Sequence, residues 1–355
     1  MLRRRGMRAF YLVVLVSLFV GGCSFVMPTQ ATLDVSAPQG IVPFTITYDA
    51  SASSGPDGIT TYRWTFDDET EAYGASGSHT FNHAGVHKVE LTVRAADGSV
   101  DTESLSIVVE PAFWVADENL NEIYKLDVSG NVIQTLPSPA AQPRGLALAE
   151  RNGTWSLFVS CMSGGFQRLF EIDPESGAVL QEHSAPAQNP GGLAYSPVAP
   201  SRIWHIDQLS RKIYELNPSD GLTLNVFGAT YFQASPHLID SVFLQTPGGI
   251  AWKGESGEAN ALWVLESETH RLYELEIVPA IDIFSGTQLA IQPNPIALAS
   301  DLFPIIGFDW YDGFLWVVQR DQHRVAQVDP ATGTSTGITL DGFPGAAVNG
   351  LSIQK

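Results

Sequence analysis

Two cysteines, eight histidines and a few clustered acids are the groups through which this chain could do chemistry. Asp67, Asp68 and Glu69 stand side by side, but calcium takes about six to eight oxygens from a looped ligand set. No spaced Asp-x-Asp-x-Asp run supplies one, so the three acids read as a solvated turn. His79, His83 and His87 recur every four residues, a spacing that aligns side chains on a helix and not on strands. They read as surface histidines. Cys161, closing the apolar run Leu157-Phe158-Val159, reads as a small buried residue rather than a reactive thiol. There is no His-Glu-x-x-His, no Gly-x-Ser-x-Gly and no phosphate-binding glycine loop. Gly254-Glu255-Ser256-Gly257 lacks the spacing of a nucleophile elbow and reads as a surface turn. The chain leans away from an enzyme, although scattered Ser, His and Asp leave a triad assembled in space open.

Cys23 carries a different chemistry. It follows four arginines (Arg3, Arg4, Arg5, Arg8), an apolar stretch from Ala9 to Val20, and the small residues Gly21 and Gly22. The stretch falls short of the roughly 20 apolar residues of a membrane-spanning helix and has the length of a secretory signal. Val20-Gly21-Gly22-Cys23 resembles the lipobox of bacterial lipoproteins. The resemblance implies cleavage after Gly22 and acyl chains such as palmitate on Cys23, which make the membrane a partner. Each buried methylene contributes about 0.8 kcal/mol, so several chains anchor a protein where one does not. Ser24 follows the cysteine where an aspartate would resemble an inner-membrane retention signal, which favours the outer membrane of the cell envelope.

The elements that must position any site are strands. The chain has 355 residues, enough for about two domains, with 32 Gly, 22 Pro and 10% aromatics but few helix-type apolar stripes. That mix favours many short strands joined by turns. Losing the four arginines with the signal takes the net charge from −19 to −23. Such a surface repels phosphates and argues against nucleic-acid binding.

Between Ala31 and Glu110 apolar and polar residues alternate, as in Phe44-Thr45-Ile46-Thr47-Tyr48 and Val89-Glu90-Leu91-Thr92-Val93. Alternation of period two describes a half-buried antiparallel sandwich. Asp49-Ala50-Ser51-Ala52-Ser53, Tyr62-Arg63-Trp64-Thr65-Phe66-Asp67-Asp68, His79-Thr80-Phe81 and Gly85-Val86-His87-Lys88-Val89 resemble the PKD family of immunoglobulin-like domains. One turn departs from the family: Asp67-Asp68-Glu69 stands where Gly-Asp-Gly is usual. The resemblance implies a spacer or a contacting module that holds the rest of the chain off the membrane.

After Pro111 three columns recur. One runs Phe113-Trp114-Val115, Leu157-Phe158-Val159, Ile203-Trp204-His205, Leu262-Trp263-Val264 and Leu315-Trp316-Val317. A second begins at Ile123, Leu169, Ile213, Leu272 and Val325. The third opens on Gly145, Gly192, Gly249, Gly307 and Gly350, spaced by 47, 57, 58 and 43 residues. Self-similarity at this period is the mark of a β-propeller. The repeat resembles NHL and gluconolactonase-like propellers, with five blades favoured over six. The last glycine strand would complete the first blade and remove free sheet edges. Trp114, Trp204, Trp263 and Trp316 recur once per unit and read as packing between blades.

The fold class expected is all-β: a signal peptide over 1–22, a lipidated linker over 23–30, an immunoglobulin-like β-sandwich over 31–110 and a propeller over 111–355. The gluconolactonase-like resemblance implies a divalent cation on Glu, Asn and Asp in the channel, with the asparagine in a Pro-Asn-Gly lead-in. Of the lead-ins here only Val348-Asn349-Gly350 fits, and no glutamate matches, so Asn349 reads as a turn former and no metal or cofactor is assigned. Loops leaving the second strand (Asp117, Asn119, Asp207, Gln208, Glu266) should share one face with two long loops, Phe227 to Thr246 and Ile283 to Ile306. Tyr231, Phe232, His237, Phe303, Arg320 and Asp321 are the ligand-binding candidates, an aromatic and charged set suited to recognition. The expected function is a non-catalytic, extracytoplasmic lipoprotein whose propeller binds or scaffolds an envelope protein, peptide or glycan. The alternative is an extracytoplasmic metal-dependent hydrolase or lactonase-like enzyme with its site in the channel.

Overall fold

The computed structural model describes residues 27–151, 153–183, 188–198, 200–227, 246–254, 260–278, 288–292, 294–345 and 347–355. The signal segment and Cys23 lie outside them, as do Tyr231, Phe232, His237 and Phe243. Among the described residues every regular element is a strand except two 3-10 turns, Ser300–Leu302 and Arg320–Gln322. No described helix is long and apolar enough to cross a membrane.

The first region forms two sheets. One has three strands in the order Asp34–Val35, Phe44–Asp49, Ser76–Phe81. The other has five, in the order Gln39–Ile41, Val100–Glu110, Gly85–Ala95, Ile59–Phe66, Glu71–Tyr73. Alternation governs burial as expected: Val89, Leu91 and Val93 are buried, while their neighbours are not. Trp64 is fully buried and its indole Nε1 donates to Gly74 O at 3.0 Å. The acidic turn keeps a left-handed residue without glycine. Glu69 has φ of 64°, and Asp68 Oδ1 accepts from Thr70 N and Thr70 Oγ1 at 3.0 and 2.6 Å. Two of the three histidines do converge, a correction to the surface reading. The rings of His79 and His87 each lie 4.7 Å from that of buried Phe81.

The second region is a ring of five sheets, four of them four-stranded and one carrying a short fifth strand, Ile296–Ala297, paired with Arg271 and Leu272. Blade 1 begins at the channel with Val348–Gln354 and continues outward through Ala112–Asp117, Glu122–Leu126 and Val132–Pro137. Blade 2 runs Pro143–Arg151, Thr154–Ser163, Phe166–Ile172, Val179–His183. Blade 3 runs Pro190–Ser196, Arg202–Asp207, Lys212–Leu216, Thr223–Phe227. Blade 4 runs Pro247–Trp252, Ala261–Glu266, Arg271–Val278, Gln288–Ile291, so part of the second long loop is its outer strand. Blade 5 runs Ile305–Tyr311, Phe314–Gln319, Arg324–Asp329, Thr334–Leu340. Each inner strand neighbours the next, and that of blade 5 neighbours Val348–Gln354. The closing strand pairs with Ala112–Asp117 from Gln354 opposite Ala112 to Val348 opposite Asp117.

The second strands are largely apolar, with His205 in blade 3 and Ser156 and Ser160 in blade 2 as buried polar exceptions, because both of their faces are covered. Trp114 packs with Leu146 and Leu148 of blade 2, and Phe158 with Leu193 and Ile203 of blade 3. Trp204 meets Ile250 and Leu262 of blade 4, and Trp263 meets Phe308 and Leu315 of blade 5. Trp316 returns to Phe113 and Tyr124 of blade 1. Burying one such side chain stabilises by about 1.5–3 kcal/mol, so the five inter-blade clusters hold the ring together.

The glycine column exists because the inner strands crowd one another. A Cβ on Gly307 would stand 2.2 Å from Asn349 O, and one on Gly350 would stand 2.6 Å from Arg144 O. At this level the channel narrows to a void of about 10 Å³, room for about one water.

Candidate functional site

Above that constriction the channel widens into a cup of about 530 Å³, within the roughly 300–1,000 Å³ range of small-molecule sites. Two sequence columns build it. The first is the residue following the end of the second strand in blades 1, 3, 4 and 5: Glu118, Gln208, Ser267 and Arg320 line the cup. The second precedes the column glycine: Arg144, Gly248, Ile306 and Asn349 line it too.

Both columns owe their direction to a break in strand pairing. In four blades the residue that opens the inner strand faces the last residue of the second strand: Pro190 opposite Asp207, Pro247 opposite Glu266, Ile305 opposite Gln319, Val348 opposite Asp117; in blade 2 Pro143 faces Cys161, two residues before the strand ends. A register shift follows at once in every blade, and the extra residue is Arg144, Gly191, Gly248, Ile306 or falls beside Asn349. A bulge of this kind re-aims a side chain.

Glu118 is the hub of the cup. It forms an ion pair with Arg320, lies 3.4 Å from Arg144 Nε, and accepts from Asn349 Nδ2 at 2.6 Å. Arg144 Nη1 also donates to Asn189 Oδ1 at 2.5 Å, and Asn189 Nδ2 donates to Gln208 Oε1 at 3.2 Å. Asn349 is buried, and its Oδ1 has no hydrogen-bond partner. It sits within a strand, which corrects the reading of it as a turn former. The cup is also lined by Phe303 and His270, whose rings stack 3.6 Å apart and 12° from parallel. Phe303 also packs against the core that holds Leu298 and Leu302.

The cup therefore gathers Phe303, Arg320 and Gln208 from the expected face, and leaves others out. Asp321 is exposed and does not line the cup. Asp117, Asp207 and Glu266 are buried one residue short of it and anchor loops instead of meeting a ligand. Asp117 Oδ1 accepts from Asn119 N and Leu120 N, both at 2.8 Å. Glu266 Oε1 accepts from Thr246 N and Oγ1 at 2.9 and 2.6 Å. Burial opposes the charge of Asp207, but the Ser210 hydroxyl and the backbone N–H groups of Asn189, Gln188 and Leu209 outweigh it and hold the carboxyl below its ordinary value. Cys161 takes the same place in blade 2, buried as expected.

A divalent cation does not fit this arrangement. The one carboxylate lining the cup already faces two guanidinium groups, which would repel the metal. Among the described residues no group of three His, Cys, Asp or Glu side chains is placed to hold a metal ion.

Fold and cup define a class: an all-β chain in which an immunoglobulin-like sandwich precedes a five-bladed β-propeller with a closed-floored cup at one mouth of its channel. Residues 32–109 match the PKD domain family. A stretch of 70 residues is 37% identical to collagenase ColA of Clostridium perfringens, covering 19% of this chain and 6% of that protein. The PKD1 domain of the Vibrio cholerae metalloprotease PrtV is 24% identical over 23% of this chain and 98% of its own, with a TM-score of 0.21. A chain of the nidogen/laminin complex is 16% identical, over 83% of this chain and 98% of its own, with a TM-score of 0.41.

Proposed function

We propose that this chain is a cell-envelope lipoprotein whose propeller is a non-catalytic binding platform, with the ligand seated in the cup. Export by residues 1–22 and a lipid on Cys23 would fix it to a membrane, the outer membrane being favoured, with the PKD domain as spacer. The observation that carries the reading is the cup itself. Its walls come from all five blades and hold side chains of several chemistries, while the regular loop-anchoring acids are turned to structural use. Differing side chains on a repeated frame suit recognition.

Two measurements test it. Cys23→Ser should leave the product uncleaved or release it from the membrane fraction; unchanged processing and fractionation would remove the lipoprotein reading. A benzophenone side chain at position 303 should crosslink an envelope component, whereas one at Ile338, exposed on an outer strand, should not. Equal yields from both positions, or none from 303, would end the platform reading, and so would a hydrolytic activity restored by calcium or zinc after chelation.

A further inference from the structure

We infer that the cup selects a carboxylate-bearing ligand with a flat apolar body, an inference that rests on the platform reading above. Of the residues that line it, Glu118 carries the only negative charge, against the two guanidinium groups of Arg144 and Arg320. In a chain of net charge −19, this enclosed surface is left one positive charge in excess. The neighbouring acids Asp117, Asp207 and Glu266 do not line the cup, and their carboxylates accept from backbone N–H groups of the adjoining loops.

Donor capacity is in excess as well. A guanidinium has five N–H groups in a planar fork. Arg144 directs one to Asn189, while its buried Nε faces Glu118 at 3.4 Å without a hydrogen bond. Arg320 shares the Glu118 carboxylate and keeps about a third of its side chain exposed. One more carboxylate would give each arginine its own anion, and the fork geometry binds carboxylates in pairs of parallel hydrogen bonds. The same cup is lined by Phe303, stacked on His270, and by Ile306, which offer flat apolar surface beside the charged groups. A ligand that fills the cup therefore carries an anion for the arginines and an apolar body for Phe303 and Ile306. The carboxylate can sit on a free acid or on the C-terminus of a peptide.

The test is saturation-transfer NMR on the full chain with phenylacetate, phenylacetamide and phenethylamine, followed by acetyl-Ala-Phe and its C-terminal amide. Phenylacetate should bind at least tenfold more tightly than the amide, and the amine should not bind. Acetyl-Ala-Phe binding better than phenylacetate assigns the peptide end; the reverse order assigns the free acid. Arg320→Gln should remove the preference for the acid, and Arg320→Lys should restore only part of it. The wild-type comparison of acid with amide needs no variant to fold. Equal binding of acid and amide, tighter binding of the amine, or an unchanged preference in Arg320→Gln would overturn the inference. If the crosslink from position 303 persists in that case, the platform reading stands and the anion preference alone falls.

Discussion

Asn349 Nδ2 donates to Glu118 Oε2 across 2.6 Å, joining residues 231 positions apart. The closing strand thus brings more than backbone pairing to blade 1: it delivers part of the polar cluster in the cup. Deleting Val348 to Lys355 would remove the inner strand of blade 1 and strand the buried backbone groups of Ala112–Asp117. Each costs about 1–3 kcal/mol when left unpaired, against a total stability of about 5–15 kcal/mol. We expect the truncated propeller to be insoluble or cut rapidly in limited proteolysis; wild-type resistance would show that this strand does not close the ring.

Gly307 is held by crowding and not by backbone conformation. Gly307→Ala forces a Cβ against Asn349 O and should cost about 1–3 kcal/mol or more. Gly313→Ala is the control, since its Cβ meets nothing within 4 Å and bears only the strain of φ at 78°. Thermal melting should fall further for Gly307→Ala than for Gly313→Ala.

His205 occupies the place held by Val115, Val159, Val264 and Val317 in the other blades, and it is buried. Gln167 Nε2 lies 2.8 Å from its Nε2, which makes that ring nitrogen the acceptor. Burial pushes its pKa down to about 4, against the pull of Asp207. The unfolded chain takes up a proton near pH 6.5 that the native site refuses until about pH 4. Stability is therefore complete above 6.5 and declines as the pH falls from 6.5 to 4, by up to about 3 kcal/mol. Denaturant titrations across this window should show the decline, and His205→Val should flatten it.

Burial also governs Cys161, whose thiol is pushed up to about 11. In a Cys23→Ser background it is the only thiol. Ellman's reagent at pH 8 should leave it untouched in the native chain and titrate it fully in guanidinium chloride. Rapid native labelling would mean that blade 2 opens.

The frame of the propeller was legible because its causes repeat in the sequence. Trp114, Trp204, Trp263 and Trp316 each fill one inter-blade gap, and the five column glycines each relieve one close approach. The cup was harder to read. Alternation along a strand predicts facing only where pairing is regular, and the bulges beside Arg144, Ile306 and Asn349 break it where the ligand surface begins. Asp117, Asp207 and Glu266 stood out as acids at strand ends, yet buried loop N–H groups claim them. Glu118 carries no signal alone. It becomes visible only when aligned with Gln208, Ser267 and Arg320, one residue past the second strands of blades 1, 3, 4 and 5. In the sandwich, Glu69 shows the converse: the left-handed turn persists although the usual glycine is absent.

The pairing of Gln354 with Ala112 gives the propeller a seam but no privileged first blade. Each inter-blade cluster repeats the same contact, so the place where the backbone is cut matters little to the packing. Fusing residue 355 to residue 112 through a short glycine linker, with new ends opened in the exposed turn at Asp312-Gly313, should yield a circularly permuted ring. Such a permutant would separate two roles that blade 1 now combines, closing the ring and receiving the chain from the PKD domain, and would let the cup be displayed from a different point on the rim.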